Sequence, residues 1–275
     1  MAPFDWTDTP AAPLMVAGAA LEYACYGPPP GRAPTIVMLH EGLGCVALWR
    51  DCPARVAERT GMGVFVHSRQ GYGASDPVPL PRPLDFMTRE AVEVLPKVLD
   101  AIGFRRGILF GHSDGATIAA IHAGSIADHR VRGLILMAPH FFTEAEGLRS
   151  IAEADAEFRT GDLRARLAKY HKDPDNAFHG WADTWLDPGF KDWNVAEVID
   201  YFRIPVLAIQ GREDQYGSLA QIDETETRSY APVDRLILDR VRHAPHLERP
   251  EAVLDAVAEF AWRLERIEAA EVETA

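Results

Sequence analysis

Apolar residues fall into short unbroken runs separated by longer stretches in which they recur at helical spacing. "TIVMLH" (35–40) is a continuous run of strand length, as expected for a strand buried on both faces. "GVFVHS" (63–68), "GILF" (107–110), "GLILMA" (133–138), "PVLAIQG" (205–211) and "RLILD" (235–239) have the same character. "LEYACY" (21–26) alternates loosely and reads as one early strand, and "PPPGRAP" (28–34) as a turn or loop. Amphipathic stretches such as "TREAVEVLPKVLDAIG" (88–103) lie between the runs. Buried runs alternating with helices predict an α/β fold, a mostly parallel, doubly wound sheet covered on both faces.

One segment breaks this rhythm. Residues 141–200 contain no buried-strand pattern and read as several short helices, "EAEGLRSIAEADAEF", "DLRARLAKYH" and "NAFHGWADTWL", ending near "VAEVIDYF". The expected organisation is a core of residues 1–140 and 201–275 with a helical insertion at 141–200. The insertion is rich in large aromatics: Phe158, Tyr170, Phe178, Trp181, Trp185, Trp193, Tyr201 and Phe202. A C-terminal helix sets Val253, Val257, Phe260, Ala261 and Leu264 on one stripe, suited to docking on the sheet. The acidic tail after Ile267 is predicted to fray.

Composition narrows the class. The chain has 275 residues, 47% hydrophobic and 25% charged, as in an ordinary globular protein. A net charge of −13 argues against nucleic acid or an anionic membrane as partner, because both demand a basic footprint. Cys25, Cys45 and Cys52 form no C-x-x-C pair, and an odd count fits a reducing cytoplasm better than a disulfide framework. The N-terminal "MAPFDWTDTPAAP" lacks the basic, apolar pattern of a leader, and no apolar run approaches the ~20 residues of a membrane span. No residues show zinc-like spacing, a P-loop or a dinucleotide fingerprint, so neither metal nor organic cofactor is expected.

The chemistry begins at "LFGHSDGATIA" (109–119). Gly111 and Gly115 flank Ser113 in a G-x-S-x-G pattern between an apolar strand and a run of small helix formers. That pattern suits a sharp strand-to-helix turn exposing a serine hydroxyl at a helix N-terminus. Such a nucleophile needs a base, and the base an orienting acid. In open α/β sheets, sites form beyond the carboxyl ends of strands. "REDQYG" after "PVLAIQG" offers Asp214, with Glu213 as its rival; "RVRHAPHLERP" after "RLILD" offers His243, with His246 as its rival.

Together these residues resemble the α/β-hydrolase fold superfamily over nearly the whole chain. "HEGLG" (40–44) stands where the family carries its oxyanion loop, and "SRQGYGASDP" (68–77) is similar to its R-G-x-G-x-S loop. "GHSDG" matches the nucleophile elbow, "GREDQYG" (211–217) the G-x-x-D acid loop, and "RHAPHLERPEAV" (242–253) the G-H-x-P-H-L-E-x-P segment. The resemblance implies a Ser113–Asp214–His243 triad, with His243 favoured because the first histidine of that segment is the catalytic one. It implies an oxyanion hole from the N–H groups of Gly42 and Asp114, and makes 141–200 a cap over the site. Trp181, Trp185 and His140 are then expected to contact substrate, while most cap aromatics form the cap's own core. Glu41, where the family often has glycine, and Arg242, where glycine is common, are departures. The Asp114 carboxylate is expected to be stabilised by the helix dipole.

The expected function is a cofactor-free serine hydrolase of a small carboxylic ester, lactone or thioester. The alternative is a carbon–carbon hydrolase of a β-diketone-type aromatic ring-cleavage product. A non-catalytic ligand-binding member and a cofactor-free oxygenase are further alternatives. The expected partner is a small molecule, and the cap leaves a homodimer open.

Overall fold

The computed structural model describes residues 4–274, with side chains as far as residue 270. Residues 1–3 of the N-terminal stretch and Ala275 at the end of the acidic tail lie outside them.

The buried runs assemble into one seven-stranded sheet in the order β3-β5-β4-β6-β7-β8-β9. These strands are β3 (Tyr23–Tyr26), β4 (Thr35–Leu39), β5 (Gly63–His67), β6 (Gly107–His112), β7 (Val131–Met137), β8 (Val206–Gly211) and β9 (Val233–Leu238). Every neighbouring pair is parallel except β3 with β5. Strands β4, β5, β6 and β8 are buried at every position, which explains their lack of alternation. The edge strand β9 differs from its sequence reading: no position in it is fully buried.

The early strand also differs. "LEYACY" is divided between β2 (Ala19–Leu21) and β3, and β2 pairs instead with β1 (Leu14–Val16). The turn joining β1 and β2 has positive φ at both Ala17 and Gly18, the left-handed pair that a two-residue hairpin requires.

Helices cover both faces. On one side α1 (Cys52–Thr60) packs against α10 (Pro250–Thr274). The predicted stripe Val253, Val257, Phe260, Ala261 and Leu264 is buried there. The final helix runs on through the acidic tail to Thr274, where fraying was expected. On the other face lie α2 (Phe86–Arg89), α3 (Leu95–Ala101) and α4 (Asp114–Ser125). A π-helical turn, Glu90–Val94, joins α2 to α3 just ahead of Pro96, whose missing N–H breaks the regular ladder. Between β7 and β8 the chain forms α5 (Ala145–Thr160), α6 (Leu163–Leu167) and α7 (Pro174–Trp185), then two 3-10 turns. The last core helices are α8 (Ala220–Arg228) and the short α9 (Pro245–Glu248).

Candidate active site

The chemistry-bearing residues all follow carboxyl ends of parallel strands: His40 to Gly42 after β4, Ser113 after β6, His140 after β7, Asp214 after β8 and His243 after β9. They therefore converge on one end of the sheet. Ser113 sits between β6 and α4 with φ 54° and ψ −122°, a conformation costly for a non-glycine residue. The turn is enforced by sterics: a Cβ on Gly111 would lie 2.3 Å from the Ala116 nitrogen, and one on Gly115 2.1 Å from the Leu39 oxygen. The Ser113 N–H donates to the Met137 carbonyl at 2.8 Å, tying the turn to β7.

A cavity of about 90 Å³ opens beside Ser113. Its wall includes Gly42, Asp114, His140, Trp181, Trp185 and His243. Asp214 stands behind the wall: His243 Nδ1 donates to its carboxylate at 2.8 Å (Oδ2) and 2.9 Å (Oδ1). Asp214 also accepts from Gln210 Nε2 at 2.9 Å and the Tyr216 N–H at 2.8 Å. Burial acts to raise the Asp214 pKa, but His243 and these donors outweigh it and hold the carboxyl below its usual range. The rivals are placed elsewhere. Glu213 donates its N–H to the Val241 carbonyl, and the His246 ring packs on Trp49 and His112, its pKa lowered by burial to about 3.

The loop after β4 is fixed by a buried arginine. Arg69 is 1% exposed, and its guanidinium donates to the carbonyls of His40 and Glu41. His40 Nδ1 donates to the Glu41 carbonyl at 2.6 Å, and its Nε2 accepts the Arg69 N–H at 3.0 Å. That pattern requires a neutral ring, and burial, with Arg69 nearby, holds the His40 pKa well below its usual value. Gly42 is packed beneath α7: a Cβ there would lie 2.2 Å from Trp181 Nε1. Asp114, as the first residue of α4, has an N–H with no acceptor within its own helix.

Glu41 lines the same cavity and stands 3.4 Å from His112 Nδ1. Burial acts to raise its pKa, but His112, His40 and His246 hold it well below the usual range. His112 Nε2 donates to the His243 carbonyl at 2.7 Å, so one buried ring bridges the β4 loop and the β9 loop. Asp114 departs from the helix-dipole expectation. Burial raises its pKa despite the opposing effect of Arg69, Arg82 and the Trp185 N–H, and the indole lies near without hydrogen-bond geometry.

Of the eight aromatics singled out in the sequence, Trp181 and Trp185 reach the cavity. Phe158 and Phe178 stack on each other at 3.9 Å, Trp193 stacks on Phe190 at 4.9 Å, Phe202 is buried, and Tyr170 and Tyr201 are exposed. Sequence reasoning missed Leu43, Glu144, Gly147, Leu148, Ile151 and Tyr216, which complete the wall. Tyr216 and Leu43 carried a signal, Tyr216 being two residues beyond Asp214 in the same loop and Leu43 directly after Gly42. Among the described residues, no group of three or more His, Cys, Asp or Glu side chains could hold a metal ion. Among them also, no helix is long and apolar enough to cross a membrane.

Comparison with known proteins gives the family and the fold. Residues 36–256 match the Abhydrolase_6 description, the alpha/beta hydrolase family. No curated protein matches the chain in sequence. Among solved structures, the chain is similar to an enol-lactonase from Burkholderia xenovorans (19% identity, 89% of this chain and 97% of that one, TM-score 0.69). It is similar to the meta-cleavage product hydrolase of Pseudomonas fluorescens (18% identity, 92% and 97% covered, TM-score 0.71). A third likeness is to a carboxylesterase structure from Nitrososphaera gargenis (15% identity, 95% and 99% covered, TM-score 0.73). At such identities these structures share the fold, and the family match over most of the length carries the assignment: the chain belongs to the alpha/beta hydrolase family and is a hydrolase.

Proposed function

We propose that the protein is a serine hydrolase that cleaves a small carboxylic ester, lactone or thioester through an acyl-enzyme on Ser113. The observation that carries this reading is the shared cavity of Ser113 and His243, with His243 Nδ1 committed to buried Asp214 and its Nε2 left as the free ring nitrogen. In the first step His243 Nε2 takes the proton of Ser113 Oγ as the oxygen attacks the substrate carbonyl carbon. Asp214 fixes the tautomer that makes this transfer available and stabilises the imidazolium. The N–H groups of Gly42 and Asp114 receive the oxyanion, each contributing ~2.7–4 kcal/mol to the transition state. Collapse expels the alcohol, thiol or alkoxide with a proton from His243. Water activated by the same nitrogen then releases the acid.

A cavity of about 90 Å³ favours a small acyl group, being smaller than the ~150 Å³ of an engineered cavity that takes up benzene. Hydrolysis of p-nitrophenyl esters of graded chain length tests the reading, with an optimum expected at short chains. Ser113→Ala should lower turnover by ~10⁴-fold or more with the melting temperature preserved. Undiminished turnover in that variant overturns the assignment. A folded wild type inactive on every ester but active on a ring-cleavage diketone would establish the carbon–carbon hydrolase instead.

A further inference from the structure

The cavity wall carries three acids, Glu41, Asp114 and Glu144, and neither lysine nor arginine. Two of the acids have partners. Glu41 stands against His112, and Glu144 accepts from the Ser218 N–H and Oγ and from Gln221 Nε2. Asp114 has none for Oδ2, although the residue is only 1% exposed. The two arginines whose charge acts on it hydrogen-bond other groups: Arg69 donates through its terminal nitrogens to backbone carbonyls, with Nε unpaired, and Arg82 donates to Glu90 at 3.1 Å and the Tyr72 hydroxyl at 3.2 Å. The indole N–H of Trp185, buried in the same wall, lies beside Asp114 and offsets part of the burial cost of its carboxyl without completing a hydrogen bond. Most buried polar groups in folded proteins are satisfied, and what distinguishes Asp114 from an unpaired atom in the core is its place in the wall of a cavity, where a ligand can bring the partner.

We propose that Asp114 anchors the substrate: its carboxyl takes a hydrogen-bond donor, best an ammonium, on a short acyl chain, and the acid-lined cavity excludes acyl chains ending in carboxylate. This rests on the hydrolase reading of the same site and adds to it the substrate class. Asp114 directly follows Ser113, so the anchored group lies a few bonds from the reacting carbonyl. Its raised pKa fits an acid waiting for a cation, since an incoming ammonium restores the ionised form. The backbone N–H of Asp114 serves the oxyanion while its side chain reads the acyl chain.

The test uses phenyl esters of four acids of similar size: butanoic, 3-hydroxypropanoic, 3-aminopropanoic and, as the half-ester, succinic. In the wild type, kcat/KM should be about ten- to a hundredfold higher for the ammonium ester than for the butanoyl ester, and lowest for the half-ester. In Asp114→Asn the ammonium-to-butanoyl ratio should collapse towards one; a ratio within one enzyme cancels any general loss of rate. Esters turned over with no ammonium preference in the wild type, or a preference that survives in Asp114→Asn, overturn the inference and leave the hydrolase reading standing. If none of the four is turned over, the ester-hydrolase reading falls while the family assignment stands. Calorimetric titration with propylammonium then decides the anchor alone: binding by the wild type and not by Asp114→Asn supports it, and absent or equal binding overturns it. Should Asp114→Asn fail to fold, the wild-type ranking still supports or overturns the inference.

Discussion

His243 has one ring nitrogen committed and the other free, and that asymmetry is what a base requires. Because Nδ1–H donates to a buried carboxylate that also accepts from Gln210 and the Tyr216 N–H, the tautomer is fixed before substrate arrives. Asp214→Asn should therefore lower kcat by ~10⁴-fold with the fold intact, since an amide can hold the wrong tautomer. Glu213→Gln should leave ester hydrolysis unchanged within about twofold, because Glu213 meets the loop after β9 through its backbone N–H on Val241 and not through its carboxylate. Steady-state kinetics on the two variants checks both. By residue type Glu213 and Asp214 were rival acids past a strand end, and only the match to a G-x-x-D loop favoured Asp214. In the structure they are separated by how the chain turns after β8, with the Glu213 N–H on distant Val241 and the Asp214 N–H on Gly211. Arg69 is a similar case. It stands in a recognisable R-G-x-G-x-S loop, but its burial beneath the β4 loop depends on partners far away in sequence.

At the scale of elements, the strand-to-helix turn is held by packing and not by propensity. A side chain at Gly115 would meet the Leu39 backbone oxygen at 2.1 Å, and backbone at the centre of a buried sheet cannot yield. Gly115→Ala should destabilise the protein by ~3 kcal/mol or more, at the severe end of single substitutions, where Ser113→Ala should be near neutral. Thermal melts of the two variants side by side make the comparison, and equal melting temperatures would refute it. The two glycines and the run of small residues in α4 were legible because steric need leaves a mark on composition. The long central strands were legible for a related reason, since burial on both faces removes alternation. The β1–β2 hairpin was not, because three-residue strands leave no period to detect, and its turn uses Ala17 where glycine or asparagine would have signalled it. The wall supplied by α5 and α7 was half legible. Trp181 and Trp185 were chosen for size and chemistry, whereas Leu148 and Ile151 face the cavity by a helix rotation that the sequence leaves open.

At the scale of the whole molecule, histidines set the response to acid. The chain has ten histidines, and several are buried as neutral rings around the carboxyl end of the sheet. Burial lowers the pKa of His67 to about 3, of His246 to about 3 and of His140 to about 4, and holds His40 well down also. In the unfolded chain each of these rings titrates near the ordinary value of about 6.5. The sign follows directly. Above that pH both states are neutral and the rings leave stability independent of pH. Below it the unfolded chain binds protons that the folded one refuses, so stability is lost as pH falls through the window from about 6.5 to the folded values of 3–4. Each such ring contributes a slope of up to ~1.4 kcal/mol per pH unit within its window. Asp214, held below its usual range, adds its own loss at lower pH, beneath the ordinary carboxylate value of ~3.9. Urea unfolding at stepped pH should thus show stability flat above neutrality and falling steeply from about pH 6 to pH 4, before the carboxylates titrate. His67 sits at the end of β5, outside the cavity wall, so His67→Gln isolates the effect from catalysis. It should remove about one proton of uptake on unfolding and flatten the slope, and an unchanged slope in that variant would mean that the neutral histidine core does not govern acid unfolding.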